Sequence, residues 1–357
     1  MRRSPVRPVR VLPLLLLAAV LLITLTPVMV QMPGESAQEP MADATPEERA
    51  LAERLEFDVR VLADEIGERN LFRPEAFDRA ADHIETRFQE AGLSVERESF
   101  EVRETDPGAL PETRAETRAE NLIAEIRGRQ SPEEIVVVGA HYDTVHGSPG
   151  ANDNASAVAA LLALAEQFAE HPQPRTLRFV AFANEEPPFY MSADMGSHIH
   201  ARNAREREED IRAMMAMDGL GYFSDEPDSQ QFPGPGLGML YPDQANFIGF
   251  VSRLGDRALL RRALAAFRDK ASIPSEGAAL PAVVPGVAWS DHWSFWEHDY
   301  PAFFVTDTLP FRDPYYHSPG DTPERLDFER MGRVTHGLTA VIRDLAGGEK
   351  DVEEGGT

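Results

Sequence analysis

The chain reads as an α/β domain of three layers, with helices on both faces of a mostly parallel central sheet. Three observations predict this class. Short apolar runs recur at Ile135–Val138, Leu177–Phe182, Met214–Met217 and Phe303–Val305, as in strands covered on both faces. A helical stripe of Val158, Leu161, Leu162, Ala165 and Phe168 separates the first two runs. Strands alternating with helices pack as a parallel sheet sandwiched by those helices. A length of 357 residues with 42% hydrophobic content suits one large domain, or two at most.

The elements follow in order. Residues 1–10 form a basic segment with Arg2, Arg3, Arg7 and Arg10, expected on the cytoplasmic side. Residues 11–30 carry no charge and are about as long as a bilayer-spanning helix. They predict an uncleaved membrane anchor, with a cleaved signal peptide as the alternative. The rest would then lie outside the cytoplasm, at the cell membrane or secreted. Residues 31–45, with Pro33, Gly34 and Pro40, read as a flexible linker.

The predicted catalytic domain spans 46–346. Thr45-Pro46-Glu47-Glu48 is a capping box with proline at the first helical position. Leu51, Leu55, Leu62 and Ile66 continue that helix as one stripe, and Gly67 stops it. A second helix carries Phe77, Ala80, Ala81, Ile84 and Phe88. Strands are expected near 93–102 and 121–127, around the duplication Thr113-Arg114-Ala115-Glu116, Thr117-Arg118-Ala119-Glu120. A closing helix carries Phe328, Met331, Val334, Leu338, Val341 and Leu345, and 347–357 is an acidic, glycine-rich tail.

Composition removes several functions. Acids outnumber bases 60 to 35, for a formal charge of −25, so there is no basic face for nucleic acid. There are no cysteines, which excludes disulfides, thiolate metal sites and cysteine nucleophiles. Any metal must be held by His, Asp and Glu.

Polar residues gather where the predicted strands end. Val136–Val138 leads to His141-Tyr142-Asp143, and the following helix opens after Gly150-Ala151-Asn152-Asp153-Asn154. Leu177–Phe182 leads to Glu185-Glu186, Met214–Met217 leads to Asp218, and Tyr316-His317 comes late in the chain. Ligands of open α/β sheets bind beyond the carboxyl ends of the strands. Imidazoles with carboxylates suit zinc, and also manganese or cobalt. Three carboxylates and a bridging hydroxide would balance two divalent charges, which favours two metal ions over one.

These segments, in this order, resemble the di-zinc aminopeptidases of the leucyl aminopeptidase and aminopeptidase Y type. Relatives of that family include glutamate carboxypeptidase II, the glutaminyl cyclases and the non-enzymatic transferrin receptor. The resemblance covers roughly residues 47 to 345. It implies a zinc exopeptidase fold of the phosphorylase/hydrolase-like kind, two zinc ions and a peptide substrate. It makes Asp153 the bridging carboxylate, His141 and Asp218 the ligands of one zinc, and Glu186 and His317 those of the other. Glu185 resembles the general base acting on a metal-bridging hydroxide, and Asp143 the carboxylate that orients His141. Ser290-Asp291-His292 matches a family segment near the site with a supporting role. The chain departs from the pattern at Ala157, where many members have glycine, and in the long Pro187–Asp194 segment.

The leading expectation is an aminopeptidase. A single-zinc glutaminyl cyclase is the first alternative, and a binding protein on an inactive fold the second. His146, His171, His198, His200, His298 and His336 are read as surface or packing residues. Trp289, Trp293, Phe295 and Trp296 line either a specificity pocket or the core. The sequence leaves the oligomeric state open.

Overall fold

The computed structural model describes residues 26–102, 118–234 and 236–347. Most of the expected anchor, the first of the duplicated repeats and nearly all of the acidic tail lie outside these residues. Among the described residues, no helix is long and apolar enough to cross a membrane.

An eight-stranded sheet forms the centre, in the order β1-β2-β4-β3-β5-β8-β6-β7. The strands are β1 (Val95–Glu101), β2 (Arg118–Ile126), β3 (Ser131–His141), β4 (Arg175–Phe182), β5 (Asp210–Met217), β6 (Ile248–Arg253), β7 (Ser275–Leu280) and β8 (Ala302–Thr306). The four inner strands β4, β3, β5 and β8 run parallel. β1 and β2 pair antiparallel with their neighbours, and so does β6 with β8, so the sheet is mixed around a parallel centre.

Alternate residues of the central strands feed two cores, as the period of two requires. Val136, Val138, Leu177, Phe179, Met215 and Met217 face the larger one. There they meet helices α1 (Pro46–Arg60), α2 (Pro74–Glu90), α3 (Ala157–Ala169), α5 (Arg257–Lys270) and α7 (Phe328–Ala346). Val137, Val180, Phe182, Met214 and Ala216 face the smaller one, against α4 (Gly196–Glu206) and α6 (His292–Glu297). The sheet is therefore covered on both faces, as the unbroken apolar runs predict.

Local signals behave as read. Thr45 accepts the N–H of Glu48 while Glu48 accepts that of Thr45, a reciprocal cap of a kind that contributes ~1 kcal/mol. Gly67, at φ +80°, ends the helical stretch and donates to Leu62 O.

The expected flexible linker is a correction. Residues 31–45 are strapped to the domain by arginines on α5 and α7. Arg261 binds Gln31 O, Arg268 binds Pro33 O and Arg333 binds Ala42 O. Ser36 accepts the N–H of Ser275 on β7, and Ala44 is buried. Proline and glycine content signals an irregular backbone, but it carries no information on such long-range partners.

Candidate active site

The residues singled out at the strand ends converge on one edge of the sheet. His141 is the last residue of β3, Glu185 and Glu186 follow β4, and Asp218 follows β5 directly. Asp153 lies in the turn that opens α3, whose preceding Gly150 is left-handed at φ +61°. A Cβ at Gly150 would collide with Thr144 and the Asp153 carbonyl, so only glycine fits this turn.

Two overlapping triads result. His141, Asp153 and Asp218 each offer a ligand atom, all within 4.8 Å of one another, and so do Asp153, Glu186 and His317. Asp153 belongs to both. Its Oδ1 is 3.4 Å from His141 Nε2 and its Oδ2 is 3.1 Å from His317 Nε2. Asp218 Oδ1 lies 3.4 Å from His141 Nε2, and Glu186 Oε2 lies 3.2 Å from His317 Nε2. Glu185 stands outside both triads, with Oε2 3.9 Å from His141 Nε2.

These donors fit divalent cations. His141 Nε2, Asp218 Oδ1 and Glu186 Oε1 are buried and have no hydrogen-bond partner. Buried polar atoms are rarely left so unless an ion or water completes them. His141 Nδ1 lies 3.2 Å from the backbone carbonyl of Asp143. Donation there fixes the tautomer and leaves Nε2 with a free lone pair toward the acids.

Asp143 does more than face the imidazole. Its Oδ1 is 3.5 Å from His141 Nδ1 and also accepts the N–H of Glu185 at 3.0 Å. Its Oδ2 accepts the N–H of Glu186 at 3.0 Å. Asn184 enters the left-handed region at φ +59° and turns the chain. That turn lets two consecutive glutamates serve one site, where a regular strand would aim them apart.

The crowding sets the protonation. Burial pushes the Glu185 carboxyl well above the usual range, opposed by His141 and reinforced by Glu186, Asp218 and Asp291. Burial likewise raises Glu186 to about 8 and Asp218 to about 6. Burial alone would lower His317, but Asp153 and Glu186 raise it to about 10. Asp153, between two imidazoles, is held below the normal carboxylate range although its burial acts the other way.

Several neighbours of the site are given no role by the sequence, among them Asn152 and Asn154 of the Gly150–Asn154 motif. Asp321 accepts the N–H of Asn152 at 2.7 Å and of Asp153 at 3.1 Å, fixing the bridging loop. Asn154 ties that loop to β5, donating to Met217 O and accepting from Gly219 N, both at 3.1 Å. Asn152 reaches Asp307 Oδ2 at 2.9 Å. Arg69 is fully buried and donates to the carbonyls of Tyr142, Pro149 and Gly150 at 2.7–2.9 Å. The Tyr190 hydroxyl, from the long Pro187–Asp194 segment, is buried without a partner near Glu185.

Ser290, Asp291 and His292 are fully buried beside the cage. The Ser290 hydroxyl faces Asp218, and Asp291 feels the charges of His141 and Asp218. His292 points away, bonded to Val287 O at 2.7 Å and stacked on Phe304. Of the aromatic cluster, Phe295 and Trp296 are core, whereas Trp289 lines an apolar pocket that reaches Tyr316. Phe247, Ala278, Val287 and Phe311 also line it, and the Tyr316 ring stacks on His317 at 3.8 Å.

Known proteins resemble this chain in sequence and in fold. The uncharacterized protein YfbL of Escherichia coli K12 is 32% identical over 314 residues, covering 85% of this chain and 92% of YfbL. Aminopeptidase YwaD of Bacillus subtilis is 28% identical over 219 residues, covering 61% of this chain but only 42% of YwaD. The solved structure of BSAP, a zinc aminopeptidase from Bacillus subtilis, shares the fold at a TM-score of 0.65 and 16% identity, over 85% of this chain and 96% of BSAP. The model for Peptidase family M28 matches residues 121–342, a stretch that contains both triads, and the chain belongs to that family.

Proposed function

We propose that this chain is a zinc aminopeptidase that removes the amino-terminal residue of peptides, with two metal ions held by the overlapping triads. The observation that carries the reading is Asp153, one carboxylate shared by two sets of ligand atoms. His141 and Asp218 would complete one position, and Glu186 and His317 the other. The ions would polarise the scissile carbonyl and acidify a water molecule.

The chain's own groups do the rest. Glu185, buried and held above the usual carboxylate range, is suited to take the proton of the attacking water. As oxygen bonds to the carbonyl carbon and the C–N bond breaks, Glu185 returns that proton to the leaving amine. Asp143 keeps Glu185 and Glu186 in register through their backbone N–H groups. The apolar pocket beside Tyr316 is suited to a bulky apolar side chain of the substrate.

The second reading, a glutaminyl cyclase, needs one zinc. The complete His141–Asp153–Asp218 triad favours the two-metal peptidase. The deciding experiment assays the purified chain on aminoacyl anilides and on a glutaminyl peptide, with zinc counted per chain. Release of amino-terminal residues with two zinc ions supports the proposal. Pyroglutamate formation with one zinc overturns it. The same reading puts the domain outside the cytoplasm, supported by the basic flank and uncharged run at residues 1–30.

A further inference from the structure

Two stretches of this acidic chain are free of charge. Ser229–Pro242 and Gly277–Ser290 contain no Asp, Glu, Lys or Arg, in a protein with a formal charge of −25. Both line the apolar pocket, the first through Phe232, Leu237 and Tyr241, the second through Ala278, Leu280 and Val287. Within them Met239 is 88% exposed, Val283 86%, Leu240 48% and Trp289 41%. Four of the eight exposed large apolar side chains among the described residues therefore fall on these two segments. Scattered exposure needs no explanation, but a clustered apolar patch marks an interaction surface.

The chain reaches this face directly from its uncharged amino-terminal run. Thr26–Val30 forms a helical turn, and Met29 packs against the same small core as Tyr241 and Val284. Met32 lies against Gly277, whose carbonyl accepts the Tyr241 hydroxyl at 2.9 Å. Arg257 on α5 binds Val28 O. Upstream of Thr26 the sequence continues through Leu25 to Val11 without a charge.

We propose that the face built from residues 229–234, 236–242 and 277–290 rests on a lipid bilayer, with Met239, Leu240 and Val283 in its interfacial layer. The occupant follows from two features. An uncharged apolar patch can leave water without burying an ion, whereas the acidic remainder is repelled by anionic head groups. The segment that packs beside the patch is the continuation of a run whose composition suits lipid. The mouth of the apolar pocket then opens at the membrane surface. This orientation does not depend on which reaction the site performs.

The absence of cysteine makes the test direct. Met239→Cys and Val283→Cys each accept one environment-sensitive fluorophore, and Glu96→Cys on β1 gives a control. β1 and β7 are opposite edges of the sheet, which separates the control by roughly 30 Å. The full-length chain is reconstituted in phosphatidylcholine vesicles with and without doxyl-labelled lipid. Labels at 239 and 283 are expected to lose about half of their emission to doxyl lipid, and the label at 96 almost none. Quenching at 239 and 283 no greater than at 96 overturns the proposal. So does shielding of those labels from aqueous iodide without quenching by lipid, which assigns the face to a second copy or to the chain's own apolar run. A label at Leu240→Cys in a Met239→Glu/Val283→Glu background, with an unchanged thermal midpoint, is expected to lose at least half of its lipid quenching. Retained quenching in that folded variant also overturns it.

Discussion

Asp143 Oδ1 accepts the backbone N–H of Glu185 at 3.0 Å, while Oδ2 holds the next residue in the same way. One buried carboxylate thus registers the proposed base and a proposed ligand against His141, two residues before it in the chain. Asp143→Ala leaves two buried N–H donors without acceptors, at about 1–3 kcal/mol each. The expected result is a lower thermal midpoint together with a fall in kcat, read by unfolding and by turnover of a leucyl anilide. Asp143→Asn keeps one acceptor oxygen and should fall between the two. An alanine variant with unchanged midpoint and kcat would deny Asp143 this function.

Glu185 and Asp153 separate chemistry from metal binding. Glu185 lies outside both triads, so Glu185→Gln is expected to keep its zinc and lose turnover by ~10² or more, the scale of general-base catalysis. Asp153 belongs to both triads, so Asp153→Ala should lose metal from both positions. Zinc per chain, measured by atomic emission after dialysis, distinguishes the two variants. Full zinc in the Asp153 variant rules out the bridging assignment.

His141, Glu186 and Asp218 were legible because each lies at or just beyond the end of an apolar strand, where an α/β sheet places its ligands, whereas Asp153 and His317 were legible only through the family resemblance. Their supports were not. Asp321 is just another acid in an acid-rich chain until folding sets it 2.7 Å from the Asn152 N–H. Arg69 shows no partner in sequence because its acceptors are backbone carbonyls. The strands β6 and β7 also escaped the sequence reading. Ile248–Arg253 contains a glycine and Ser275–Leu280 is mostly small residues, so neither has the continuous apolar run that marked β3 and β4.

Protonation of the cage predicts a pH-dependent response to chelation. Burial raises Asp291 and Asp321 to about 7 and Asp218 to about 6, from an ordinary 3.8. Across that interval the native chain binds more protons than the unfolded one, so stability falls as pH rises through it. His317, at about 10, acts in the same direction above its ordinary 6.5. Asp153, held low, acts oppositely, and only below its ordinary 3.8. Metal ions would take the place of the protons on Asp218 and His317 and favour the charged forms of Asp291 and Asp321 beside them, so their contribution grows with pH. The thermal midpoint of the chelated protein should fall between about pH 5.5 and about pH 8.5, and the gain on adding zinc should widen. A gain independent of pH would show that zinc binds elsewhere.

The apolar pocket predicts side-chain preference. Phe247, Val287, Trp289 and Phe311 line it together with Ala278, and Glu276 is the acid among its lining residues. Leucyl and phenylalanyl anilides should be cleaved with higher kcat/KM than glutamyl ones, which would set a second carboxylate beside Glu276. Ala278→Trp narrows the pocket and should raise KM for phenylalanyl substrates by about tenfold, the scale of one or two lost methylene contacts. Alanyl substrates should be spared. Equal loss for both would place the substrate side chain outside this pocket.

Arg69 predicts how far the cage depends on a charge that touches none of its carboxylates. Its guanidinium donates to Tyr142 O at 2.8 Å, Pro149 O at 2.7 Å and Gly150 O at 2.9 Å, the backbone on either side of the loop leading to Asp153. Burial lowers its pKa to about 10, while Asp321, Asp143 and Asp153 oppose that shift through space. It therefore stays charged at neutral pH and offsets part of the acid surplus. Arg69→Met fills similar volume but strands three buried carbonyls and removes the cation, a loss of about 3 kcal/mol or more. Arg69→Lys keeps the charge but cannot span the same acceptors, because an ammonium is a point donor and not a planar fork. Both variants should unfold at lower temperature, and the methionine variant should also bind zinc more weakly. If Arg69→Lys matches the wild-type midpoint while Arg69→Met does not, charge compensation and not the carbonyl network is what the loop requires.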